Sequence, residues 1–172
     1  RPLLTRAKAP VPAGAEEEMR GEGRQAVLSA DGQLLYTLYT HQPGHQHTRD
    51  LIAGTRSGVH AFVHVLHLTE RWAYCLDLPD PFGSGPPAGH ALAADGQHIA
   101  VLDTASGSLA YAGAESLAIE RVAKVPAGGG AASLILAPDR RVFLAAGTTI
   151  AVLDRGSDQV TGRWSRPATV RG

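Results

Sequence analysis

At 172 residues and 18.0 kDa, the chain has the length of one ordinary domain, enough to bury roughly two-thirds of the surface its unfolded form exposes. Lys plus Arg and Asp plus Glu number 16 each, which excludes an overall basic field for holding nucleic acid or an anionic membrane. No apolar run approaches the roughly 20 residues of a spanning helix and no apolar signal core follows Arg1, so a soluble chain is expected; the one cysteine, Cys75, excludes an intrachain disulfide or a multi-thiolate zinc site.

Residues 1–25 carry three prolines, four arginines and the acidic run Glu16, Glu17, Glu18 without a period of 3.6 or 2. They read as an extended N-terminal arm, since Gly14 and Gly21 bracket the acidic run too closely for a helix of several turns. From Ala26 the chain reads as short strands between turn signals, and three segments align: AVLSADGQLLYTLYT from Ala26, HALAADGQHIAVLDT from His90 and ASLILAPDRRVFLAAG from Ala132. Each is a strand, a tight turn and a second strand. The turns centre on Asp31-Gly32, Asp95-Gly96 and Asp139-Arg140, glycine being suited to positive φ and Arg140 departing from that rule.

Each segment is followed by a second hairpin. Its turn falls at Thr69-Glu70-Arg71, at Ala114-Glu115-Ser116 and at Asp154-Arg155-Gly156-Ser157-Asp158. Four short strands per unit therefore recur three times, over about 26–88, 89–130 and 131–172, with an insertion at 41–59 lengthening the first. PDPFGSGPPAG at 79–89 and the glycines 128–130 read as crossings between units, with Phe82 placed to plug an interface and no helix following the glycines to make a phosphate cradle. An antiparallel β-sandwich is the alternative arrangement of so many short strands.

This four-stranded unit, with its Ser-Ala-Asp-Gly or Ala-Pro-Asp-Arg turn and the later Val-Leu-Asp of AVLDRGSDQV, resembles the YVTN and WD40-like β-propeller repeats. The literal Tyr-Val-Thr-Asn and Trp-Asp signatures are absent. The resemblance implies an all-β fold of propeller blades, four-stranded antiparallel sheets around a channel. Three units are fewer than the four to eight of closed rings, so a partial propeller is expected, completed by further blades from the same or another chain. The resemblance also implies an exported or cell-envelope location. The functional expectation is a non-enzymatic scaffold binding a protein or ligand through rim loops, with a lactonase or other hydrolase of the YVTN type, its site in the channel, as the alternative.

The most distinctive polar cluster is HQPGHQHTRD, which makes His41, His45, His47, Arg49 and Asp50 the candidate binding residues. The three imidazoles are also the candidate metal ligands, since neutral imidazole suits zinc, copper or nickel and Pro43-Gly44 lets His41 fold back toward the other two. His60 and His64 share one face of a strand and His67 takes the other. Cys75 reads as an inert core thiol, Asp77, Asp80, Asp103 and Asp154 read as turn and cap residues, and no Gly-x-Ser-x-Gly elbow is present. No catalytic residue and no cofactor is expected. With two lysines and fourteen scattered arginines, nor is a nucleic-acid surface.

Overall fold

The computed structural model describes residues 4–10, 22–40, 61–83 and 85–165. Within them the chain is all-β, thirteen strands and one 3-10 turn at Pro87–Gly89. The first sheet runs β2 (Glu22–Leu28), β3 (Leu34–Thr40), β4 (Phe62–His67) and β5 (Trp72–Asp77), with β1 (Leu4–Thr5) added in parallel to the β5 edge. The second holds β6 (His90–Ala94), β7 (His98–Asp103), β8 (Ser108–Gly113) and β9 (Ile119–Lys124). The third holds β10 (Ala132–Leu136), β11 (Arg141–Ala146), β12 (Thr149–Asp154) and β13 (Val160–Ser165). Each four-strand set is an antiparallel meander, and the opening strands β2, β6 and β10 lie side by side. These are propeller blades in series, not the two facing sheets of a sandwich.

Turn chemistry sets the hairpins. Asp31 Oδ1 accepts the Gln33 amide at 3.0 Å, Asp95 Oδ1 the Gln97 and His98 amides at 2.8 and 2.7 Å, and Asp139 Oδ1 the Arg141 amide at 3.3 Å. The carboxylate thus replaces a strand partner at the bend. Gly32 takes φ 69° as expected, but Gly96 is not left-handed, because the middle turn closes more tightly through Asp95 N to His98 O. Arg140 does take the left-handed region, at φ 66°, a conformation that costs a side chain with Cβ about 1–2 kcal/mol. In the second hairpins Arg71, Leu117 and Asp158 are left-handed at matching places.

Alternation then sorts the core. In the middle blade, Leu92, Ile99, Val101, Ala110 and Ala112 face the first blade, where they meet Tyr36, Leu38, Val63 and Val65. The intervening Ala91, Ala100, Leu102, Leu109 and Tyr111 face the third and meet Leu134, Val142, Leu144 and Leu153. Period-two geometry explains why β7 and β8 read as nearly continuous apolar runs: the sheet is covered on both sides. Phe82, 1% exposed, fills the core between the first two blades from the crossing segment.

The opposite end of the blades is tied at Thr104. Its amide donates to the Gly89 carbonyl at 2.9 Å, its carbonyl accepts the Gly129 amide at 2.9 Å, and its buried hydroxyl lies 2.7 Å from the Gly130 carbonyl and 3.1 Å from that of Gly89. Gly130 sits at φ 89° against Gly147, and a Cβ there would lie 2.8 Å from the Gly147 Cα, so the crossing admits no side chain at this point.

Candidate functional site

His41, His45, His47, Arg49 and Asp50, along with His60, lie outside the described residues. Of the other strand histidines, His64 stands in register with Thr37 and Cys75, while His67 lies on the opposite face beside Trp72, its Nδ1 accepting the Glu70 amide at 3.1 Å. Cys75 departs from the sequence expectation. It is half-buried on the face away from Trp72 and Tyr74, because alternation along β5 separates it from those rings and sets it opposite His64. His90 is a structural residue: Nδ1 lies 3.1 Å from the Pro86 carbonyl, and Nε2 accepts the Gly83 amide at 3.1 Å and stands 3.8 Å from the buried Asp103 carboxylate. Among the described residues no three His, Cys, Asp or Glu side chains converge as a metal site.

What the fold does assemble is a pair of clefts on the rim that carries the Asp31, Asp95 and Asp139 turns. Arg6 lines the first, between blades one and two, where it donates to the Glu115 and Ser116 carbonyls. The second, between blades two and three, has a volume of about 330 Å³ and is lined by Gln97, His98, Tyr111, Glu120, Arg121, Arg140, Arg155 and Gly156. Arg121 lies over the Tyr111 ring, 3.8 Å from its centroid, and donates to Asp158 and to the Arg155 carbonyl. Arg155, its side chain 13% exposed, pairs with Asp95. In both clefts an arginine from one blade is held by the second-hairpin turn of the next.

Arg140 differs from these two. Its carbonyl accepts the Arg155 amide at 2.8 Å, which fixes the turn, and its guanidinium lies against Gly156 in space that any side chain at 156 would occupy. No hydrogen bond of that guanidinium is present among the described residues. Asp154, nearby, accepts on Oδ1 from the Gly156 amide and from the amide and hydroxyl of Ser157, and its charge is the electrostatic partner of the Arg140 guanidinium. Sequence reading missed this site because the three arginines are 15 to 34 positions apart, and only the stacking of equivalent turns unites them. The signal was Arg140 itself, a side chain where the first two turns have glycine.

The surroundings tune these groups. Burial together with the Asp158 charge pushes the Tyr111 hydroxyl up to about 12. Burial raises the Asp95 carboxyl, but the Gln97 and His98 amides and Arg155 together outweigh it and leave it below its ordinary value. Asp31 is lowered by the Ser29 hydroxyl, Asp139 by Arg141 and Asp154 by the Ser157 hydroxyl. A carboxylate with a lowered folded pKa stabilises fully above its unfolded value, near 3.9, and that stability is lost as pH falls through the folded value. Chemical denaturation should therefore give a steady midpoint above about pH 5 and a falling one below about pH 4.

No family model matches the sequence, and no curated protein does. Solved structures match by shape. Hydrazine synthase from Kuenenia stuttgartiensis superposes with a TM-score of 0.58 at 14% identity, over 92% of this chain and 40% of that one. The dihydro-heme d1 dehydrogenase NirN, in complex with DHE, gives 0.54 at 12% identity, over 97% and 33%. Apo AztD from Citrobacter koseri gives 0.50 at 13% identity, over 94% and 51%. These are β-propeller-type proteins, and the likeness establishes a β-propeller type of fold for this chain. The chain spans between a third and about half of their lengths.

Proposed function

We propose that the chain is a non-enzymatic binding scaffold, a run of propeller blades whose ring is completed by a further blade packed against the third sheet, and which meets its partner through the loops of the rim. The arm of residues 1–25 and the repeats 26–88, 89–130 and 131–172 are its units, with His41, His45, His47, Arg49 and Asp50 as contacts offered by the insertion.

One observation carries this reading. The third blade's outward face bears Ile135, Phe143, Ile150, Val152 and Trp164, and Ile135 and Trp164 are 60% and 55% exposed. By strand order and pairing these are the counterparts of Ala93, Ala100, Leu109, Tyr111 and Ala123, with which the middle blade packs on the third. The face thus continues an interface already used once within the chain, and its complement is an aliphatic set like Leu134, Val142 and Leu144. Apolar surface at blade-packing positions favours another blade over solvent.

The test appends a second copy of residues 125–165 after Ser165 in a Trp72→Phe background, which retains Trp164 as the sole tryptophan once the appended copy carries Trp164→Phe, and excites at a wavelength that tyrosine does not absorb. Trp164 emission should shift to the blue and resist acrylamide quenching. An added blade that folds, by circular dichroism, while Trp164 stays quenchable overturns the reading.

A further inference from the structure

We propose that two copies of the chain associate head to tail, the third blade of each packing on the first blade of the other, and so close a ring. The proposal rests on the scaffold reading and deepens it, by naming what covers the third blade's outward face.

The blades pack by one repeated row of residues beside the first turn. In the middle blade Ala94, Ile99, Ala112 and Ile119 stand in register and belong to the core shared with the first blade. In the third blade Leu136, Val142 and Leu153 stand in the same places and belong to the core shared with the middle blade. In the first blade this row is Leu28, Leu35, Leu66 and Ala73. Val27 and Tyr36, their neighbours along the strands, pack toward the middle blade, so alternation turns the leucines the other way. Leu28 is 54% exposed, and Leu35 and Leu66 are half-buried. Farther from the turn the same face carries the stacked, buried rings of Tyr39 and Phe62, so the rim half is its open part.

The array therefore ends in two unlike apolar faces that fit each other. The first blade offers an aliphatic row of the kind on which a preceding blade packs. The third offers Ile135, Phe143 and Val152, which stand where Ala93, Ala100 and Tyr111 of the middle blade meet the third. Such a contact is heterologous: each copy gives one face and receives on the other, and two copies form the contact twice. Three sheets from each copy make six blades, within the four to eight of closed propellers. The formal net charge is zero, so no long-range repulsion opposes the approach of a second copy.

Sedimentation of the whole chain measures the association. The wild type should dimerise at micromolar concentration without larger species. Leu28→Glu and Ile135→Glu, both at exposed positions, should each weaken self-association at least tenfold while circular dichroism stays that of the wild type. An equimolar mixture of the two should regain a dimer, because the intact third face of the first variant meets the intact first face of the second. Should either glutamate variant fail to fold, Leu28→Ser and Ile135→Ser carry the same mixing test. A wild type that stays monomeric at high micromolar protein, growth into longer oligomers, or a Leu28→Glu variant as dimeric as the wild type overturns the proposal. The Trp164 experiment is read at concentrations below those at which the chain dimerises. A monomeric wild type therefore leaves that result standing, whereas a quenchable Trp164 beside a folded appended blade removes the scaffold reading itself.

Discussion

Replacing Tyr111 with alanine is expected to lower folding stability by about 3–5 kcal/mol, the range for truncating a large aromatic in a packed core. The ring is 1% exposed and lies between the Leu102 and Leu109 face of the middle blade and the third blade. Its outer edge supports Arg121, which in turn holds the Asp158 turn. Truncation removes core volume and the surface on which the guanidinium rests. Tyr111→Phe keeps the ring and loses only the hydroxyl, which lies 3.3 Å from Asp158 Oδ1, and should cost no more than about 1 kcal/mol. Urea unfolding measures both. Blades contact only their neighbours, so native-state hydrogen exchange in the alanine variant should accelerate in β10–β13 before it does so in β3–β5.

Phe82→Ala is expected to cost a similar 3–5 kcal/mol at the other interface. Phe82 belongs to no strand, yet it is as buried as Tyr111 and packs in the core formed by Tyr36, Leu38 and Leu92. The segment carrying it has few other apolar anchors, Leu78 being the principal one, so little can collapse into the vacated space. Exchange should accelerate first in β2–β5. Because the two residues occupy separate cores, their costs should add within about 0.5 kcal/mol in the double variant. Strong non-additivity would mean that the middle blade transmits packing changes from one face to the other.

Much of this architecture was legible because it is written in local chemistry. Asp31, Asp95 and Asp139 announce their turns by capping backbone amides two or three residues on, and Asp103 and Asp154 do the same at later turns. The faces followed from alternation, as His64 and His67 illustrate. The glycine rule was less dependable: it described Gly32 and failed at Gly96, where the closing hydrogen bond spans fewer residues. The rim cleft was not legible. Its pairs join positions as far apart as Asp95 and Arg155, and which turns oppose each other depends on how one sheet is rotated against the next. The histidine cluster drew attention in the sequence because it is contiguous, whereas Arg121 and Arg155 drew none and Arg140 drew it only as a turn residue in glycine's place.

Thr104 gives the blades unequal freedom at their two ends. Both crossings, one entering and one leaving the middle blade, converge on this single residue through its amide, its carbonyl and its hydroxyl. The rim end is joined instead by side chains that swing about several torsions. The sheets are thus joined by backbone hydrogen bonds at the glycine-rich base and by side-chain contacts alone at the arginine-lined mouth, so a substitution that loosens the blades from one another acts at the rim before it acts at the base.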